Sequence, residues 1–575
     1  MTTEQIQAGR TSLGRRFRAD EGKVVVKLPE ARAWCVPTLI AVGLIFVLVG
    51  GGDADLTGSD ARLGVAAGEG FGPVGQLYSQ WRPDLWPLPA AIARVIHLLG
   101  EPGRPDPGVV LWPSAVAGLA AGWILARRFV AHGRTTTALL FGFAWFGSLA
   151  IMSHAGSSGI DFLSGMATVA ALDRMLSRRT DWITGVWASL AFLAGGWPPL
   201  VILGLAVIVL GRRDADFSVG MIVPPVLTAV AWLVWTVQVA SAQAAAAALM
   251  WPLTQRLSWT LPTSLGSFLG ALATPMNQRP AWALPIGCLL MGMPLSPFAF
   301  LAASGSLRER FKAETDGLVL DWLRVGIAAM VGGMIVPGLA SASALPALAA
   351  LLVVASAGLS AAWSGELSSP TRRAFFAIVA ALVGGWVFVT LYGTYVLTIV
   401  FTYYRPIGVV FAIGGVVVAA FAWRAFELGC SKRGVLALLL LTACLKWVHA
   451  GYYIPEWTYR YGQGPWGRAI GQWLLPHWPI YTLHEWPEDL AFAIGRPIRM
   501  LHSPQHLAFP QTSESKHVLL LESEYENWPP SAPKLVKVAT FEPPSLMGSR
   551  RILARTEGVL LTPSGKLVSR VPAPQ

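Results

Sequence analysis

Apolar runs of membrane length recur along this chain from residue 33 to residue 450, with short charged breaks between them. The chain has 575 residues, of which 54% are hydrophobic and 13% charged, whereas a water-soluble globule carries about 25% charge. A soluble globule and a disordered chain are both excluded by that balance. A membrane-crossing helix needs about 20 apolar residues, with a range of roughly 17–25. On that measure spans are expected near 33–50, 108–126, 137–153, 159–177, 182–195, 197–211, 217–240, 282–304, 322–340, 344–364, 374–400, 407–425 and 434–450. The fold class is a polytopic α-helical membrane protein with about thirteen transmembrane helices. The pair 182–195 and 197–211 is parted only by Gly196, and Trp197-Pro198-Pro199 opens its second member, so one kinked element fits as well as two.

Charge fixes an orientation. The net charge is +12, from 44 Lys and Arg against 32 Asp and Glu. In a membrane protein that excess reads as cytoplasmic anchoring charge rather than as a signal for nucleic acid. The tail 1–32 and alternate loops carry most of it, for example Arg127, Arg128 and Arg134, then Arg174, Arg178 and Arg179. Between the second and last spans, the loops on the opposite side hold only Arg256, Arg279 and Arg405. The N-terminus is therefore expected in the cytoplasm of an inner (plasma) membrane, and an odd number of spans puts the C-terminus outside. The basic tail is too long for a secretory signal, so the first run reads as an uncleaved anchor. Cys35, Cys288, Cys430 and Cys444 show no metal-finger or paired spacing.

Three parts follow: a cytoplasmic tail 1–32, a transmembrane part 33–450 with the outside loop 51–107, and a periplasmic segment 451–575. The last is more polar. Segments 479–483, 489–494 and 518–521 read as strands between Pro/Gly/Ser breaks, and 466–474 reads as a short helix. A small extracytoplasmic α/β domain is expected.

Candidate chemistry gathers on the outside. The first loop opens with Asp53, Asp55, Asp60 and Arg62, ahead of a surface helix over 63–71 with Ser59 or Asp60 as N-cap. A second surface helix fits 88–99, opened by Trp86-Pro87 and closed by Gly100. An acid beside a cation at a membrane surface suits a hydroxyl acceptor meeting a lipid-linked phosphate donor. Asp53 and Asp55 fit plain solvated loop charges. Asp161 starts the fourth span, where an ionisable group marks a functional site or, alternatively, caps a helix. His154 fits an interfacial polar residue, and no His/Glu/His spacing supports a metal site. Arg256, Arg279 and Arg405 could each grip a phosphate, and Arg405 after Tyr403-Tyr404 also fits an aromatic-belt anchor. Lys446 fits a snorkelling position. Walker, dinucleotide-binding and GxSxG motifs are absent from the sequence.

The layout resembles the GT-C class of membrane glycosyltransferases, and within it the branch of lipid A aminoarabinose transferase and protein O-mannosyltransferases. Ser59-Asp60-Ala61-Arg62-Leu63 resembles that branch's Asp-Glu-Ala-Arg-Tyr stretch, and Trp86-Pro87-Leu88 its Lys-Pro-Pro-Leu. Leu111-Trp112-Pro113-Ser114-Ala115 resembles Arg-Leu-Pro-Ser-Ala, and Ile160-Asp161-Phe162-Leu163 resembles Pro-Asp-Met-Leu. The run 190–196 resembles Leu-Ala-Phe-Leu-Thr-Lys-Gly, and 344–349 resembles part of a later span. The departures are Ser59 for the leading Asp, and Trp86, Leu111 and Gly195 where the pattern has basic residues. The resemblance implies an inverting transferase that takes a sugar from a polyprenyl-phosphate donor to an acceptor hydroxyl on a glycan, lipid or protein. It implies Asp60 and Asp161 as the catalytic acids and retains Arg62 as a cation for the donor phosphate, with the outside arginines Arg256 and Arg405 read as substitutes for the missing cations. A divalent metal as cofactor stays open. The missing cations keep a catalytically inactive, envelope-assembling relative as the alternative. A secondary transporter would want paired broken spans, and only 195–199 supplies one.

Overall fold

The computed structural model describes residues 35, 37–43, 58–69, 76–77, 80–82, 84–99, 108–152, 161–177, 180–210, 219–254, 262–264, 266–268, 271, 280–395, 399, 405–428, 431–448, 464–474, 478–483, 486–508, 516–541, 551–556, 560–561 and 567–568. The tail 1–32, most of the first expected span, Asp53, Asp55, His154, Arg256, Arg279 and the side chain of Lys446 lie outside the described residues.

Among the described residues, 6 helices are long and apolar enough to cross a membrane: Leu111–Ala131, Val219–Val239, Leu318–Ile335, Ala340–Trp363, Ser369–Tyr395 and Gly408–Glu427. Each falls on an expected span. The expected span at 282–304 is instead a pair of helices, Ala283–Met291 and Ser296–Ala303, bent by 116°. Pro294 and Pro297, which lack a backbone N–H, fall at this bend. Shorter helices take up the expected spans between 137 and 211. Trp182–Gly195 and Pro198–Leu210 have 14 and 13 residues. At 1.5 Å per residue each is about 20 Å long, short of a hydrocarbon core of about 30 Å. They are two helices rather than one kinked rod. Gly196 parts them at φ 76°, a left-handed conformation that suits glycine. The expected spans leave 241–281 empty, yet the Ala-rich stretch Ala242–Thr254 forms a further helix there.

The Ala340–Trp363 helix is the centre of the bundle, with 94% of its most apolar stretch buried. Small and aliphatic residues surround it on every side, the pattern of a helix enclosed by others. Close approach follows from glycines on its neighbours. A Cβ on Gly165 would sit 2.6 Å from Leu345, and one on Gly333 would sit 2.5 Å from the Ser343 hydroxyl. Thr137 and Ser360 join their hydroxyls at 2.9 Å across this core.

The C-terminal part carries a 5-stranded sheet in the order 498–500, 480–482, 517–521, 551–556, 535–541. The first three strands in that order are parallel, and the last two pair antiparallel. The strands expected at 479–483 and 518–521 are present as Ile480–Thr482 and His517–Leu521. The helix expected at 466–474 forms at Gly464–Gln472. The strand expected at 489–494 is corrected: Glu488–Ile494 is a helix. Parallel neighbours need a crossover, and this helix supplies it between 480–482 and 498–500. Glu488 and Asp489 stand in its first turn, and Gly495 ends it at φ 63°.

Ion pairs collect at one end of the bundle. Arg128 meets Asp173 at 2.7 Å, Arg310 meets Glu314 at 2.8 Å and Glu366 nearby, and Arg174 pairs with Asp181. Arg134 reaches Glu314 at 3.7 Å. These residues belong to the loops expected inside. The first loop and the C-terminal sheet pack together at the other end. There Ala61, Ala67, Ala93, Leu111 and Phe492 share one apolar cluster.

Candidate active site

Asp161 stands at the end of the bundle that carries the first loop. It is the N-cap of the Phe162–Leu176 helix and accepts a hydrogen bond from the Ser164 backbone N–H at 3.0 Å. Of the two alternatives for this residue, the structure shows the helix cap, on a side chain that is partly buried. No ion pair joins Asp161 to a Lys or Arg among the described residues. One turn on, the Ser164 hydroxyl is buried with no hydrogen-bond partner among the described residues. The Trp182–Gly195 helix runs back to the same place. A Cβ added to Gly195 would overlap the Ser164 Oγ and stand 3.3 Å from the Asp161 Oδ2. A basic side chain at this position is thus excluded by packing.

The next residue binds the first loop to this spot. The Trp86 indole lies directly over Gly196, where any Cβ would overlap it. Trp86 also meets Phe192 and Trp232, with ring centroids at 5.7 and 5.1 Å. Trp232 is 2% exposed, and Trp86 is 7% exposed. Trp86, Asp161, Gly195 and Gly196, widely spaced in sequence, are one place in space. Leu111, the third position that departs from a basic pattern, is buried among Ala61, Ala93 and Phe492.

Asp60 belongs to the Gly58–Glu69 helix, its side chain outside the described part. That helix begins earlier than expected, so Ser59 and Asp60 lie inside its first turn rather than at its cap. Arg62, a turn from Asp60 or less, faces two carboxylates. It pairs with Asp84 of the same loop, and its Nη2 donates to Glu488 of the C-terminal part at 2.5 Å. Its Nε donates to the same Glu488 oxygen at 3.2 Å. Burial works against the Arg62 charge, but Asp84 and Glu488 more than offset it and hold its pKa above the usual arginine value. Arg405 opens the Arg405–Glu427 helix, its side chain also outside the described part. Sequence reading missed Asp84, Glu488 and Ser164. Among the described residues no three His, Cys, Asp or Glu side chains gather to hold a metal ion.

No family model matches the chain, and no curated protein matches it in sequence. Solved structures do match. ArnT from Cupriavidus metallidurans bound to undecaprenyl phosphate aligns with a TM-score of 0.62 and 17% identity, covering 91% of this chain and 98% of that one. The same protein in its apo state aligns at 0.61 and 16%, over 92% and 98%. The likeness to the GT-C class is therefore a likeness of fold, running almost end to end along both chains. This chain is built as ArnT is, with a helical bundle and a small C-terminal sheet.

Proposed function

We propose that this protein is a membrane glycosyltransferase that moves a sugar from a polyprenyl-phosphate donor to an acceptor hydroxyl. The carrying observation is the near-complete fold match to a structure bound to undecaprenyl phosphate, with Asp161 capping a helix at the end that carries the first loop. The acceptor oxygen attacks the anomeric carbon, and its proton passes to a carboxylate. The bond from that carbon to the phosphate oxygen breaks with its electron pair on the phosphate, and the configuration inverts. Asp60 is the proposed base, and Asp161 orients the acceptor. Arg256 and Arg405 are the proposed cations for the leaving phosphate. Arg62, already held by two carboxylates, is the weaker candidate for that role. The protein sits in the inner membrane, with its N-terminus in the cytoplasm and its C-terminal part on the periplasmic side.

A second reading has its own observation. Trp86, Leu111 and Gly195 are locked into apolar or tight packing where the related pattern is basic. That favours a relative that keeps the fold without the chemistry. Purified protein with a panel of polyprenyl-phosphate hexoses and pentoses, plus membrane lipid extract, separates the two. Release of free polyprenyl phosphate that vanishes in Asp60→Asn and Asp161→Asn supports the transferase. Folded protein that releases none from any donor supports the inactive relative. Running the assay with and without EDTA reads whether a divalent metal takes part.

A further inference from the structure

We propose that Arg62 is a positioning residue that couples the C-terminal part to the floor of the Asp161 site. The argument is a chain of contacts, each between elements far apart in sequence. Glu488 opens the crossover helix of the C-terminal sheet and accepts from Arg62. Arg62 in turn pairs with Asp84, which is only 12% exposed. Asp84 lies two residues before Trp86, and Arg82 approaches it from the other side at 3.4 Å. Trp86 lies on Gly196, and Gly195 beside it faces Ser164 and Asp161 with no room for a Cβ.

The arginine's geometry suits this role. A guanidinium offers a planar fork that can satisfy two carboxylates in fixed directions, as a lysine cannot. A second strap holds the same two loop helices together: Arg94 of the Pro87–Leu99 helix donates to the Ala67 carbonyl at 2.8 Å. Apolar contact continues the join, since Phe492 of the crossover helix packs on Ala61, Ala67 and Ala93. The ion pairs therefore set the direction of a loop that the apolar cluster already presses down. When Asp84 loses its charge, the segment before Trp86 loses its tie to Arg62; when Glu488 does, Arg62 keeps only Asp84 and the loop loses its tie to the C-terminal part. Either change loosens the seat of the indole on Gly196.

Hydrogen–deuterium exchange on the full-length protein tests this without any turnover, so its outcome is independent of the transferase reading. The variants are Arg62→Ala, Asp84→Asn and Glu488→Gln. Each is expected to raise exchange about tenfold across 84–99 and around 192–197, the effect of losing one charge-assisted hydrogen bond. Exchange in 517–521, 551–556 and the central helix 340–363 is expected to stay at the wild-type level. Glu488→Asp, which keeps the charge, is expected to restore much of the protection. Faster exchange confined to 58–69 and 488–494 would overturn the proposal, leaving Arg62 a local tie between two helices. So would weaker binding of undecaprenyl phosphate by Arg62→Ala with exchange unchanged, which would return Arg62 to the donor phosphate.

Discussion

Gly195 shows how a single absent side chain shapes the site. A Cβ there would overlap the Ser164 side chain and come within 3.3 Å of Asp161. Gly195→Ala is expected to destabilise the protein by about 1–3 kcal/mol, the range for an extra methyl in a packed interior. Thermal unfolding in detergent measures it, and Ser164→Gly in the same chain should recover part of the loss by making room. An unchanged midpoint in Gly195→Ala would mean that this corner is loosely packed. His517 offers a second residue-scale test, in the C-terminal sheet. It stacks on Trp478 with ring centroids 5.0 Å apart, and its Nδ1 is buried without a hydrogen-bond partner among the described residues. Burial, and then the charge of Arg555, pull its pKa from 6.5 to about 4. The neutral ring is thus the folded form. Its contribution is complete above pH 6.5 and is lost as the pH falls from 6.5 towards 4, where the unfolded chain takes up the proton first. The melting temperature of the wild type should drop more across that window than that of His517→Phe. Equal drops would show that other groups carry the acid sensitivity.

At the scale of elements, the sequence was readable wherever a period ran long enough. The spans at 108–126, 217–240, 344–364 and 374–400 all became helices, because twenty apolar residues in a row admit little else. The surface helix at 88–99 was announced by Trp86-Pro87 and stands as Pro87–Leu99. Short elements were harder. Leu490 to Ile494 has strand-like composition over too few residues to show a helical period, and the two acids before it and Gly495 after it were the better signal. The 242–254 helix is built on small alanines, so its low polarity was visible and its length was not that of a span. The site divides the same way. Asp161 stands out as an acid at the start of an apolar run, and the structure makes it the N-cap of the Phe162–Leu176 helix. Its neighbours did not stand out. Trp86 reads as an interfacial aromatic until Gly196 and Trp232 are seen against it. Glu488 is 426 positions from Arg62, and one sequence has no local pattern that joins them.

For the molecule as a whole, the decisive feature is the separation of its two ends. Arg128 and Asp173, Arg174 and Asp181, and Arg134, Arg310, Glu314 and Glu366 all meet at the end remote from Asp161. They come from loops that alternate along the chain, and the fold brings them together without using the positive-inside rule. Two independent lines thus agree on which loops share a side. The agreement is informative because a miscounted span would shift every later loop to the opposite face. It also explains why the charged end tolerates buried acids: Asp173 is 1% exposed, and Arg128 donates to both its carboxylate and its backbone carbonyl. The orientation proposed above puts the cytoplasm at the charged end and the first loop and C-terminal sheet outward. Reporter fusions in a bacterial host test the arrangement directly. Alkaline phosphatase folds only where disulfides form, so a fusion after residue 575 should be active and one in the loop at 365–368 inactive. Active phosphatase at 365–368 would reverse the orientation. Activity at both places would show that the chain crosses the membrane an even number of times between them, and would take the Ser369–Tyr395, Arg405–Glu427 and Ser431–Val448 helices out of a simple three-span reading.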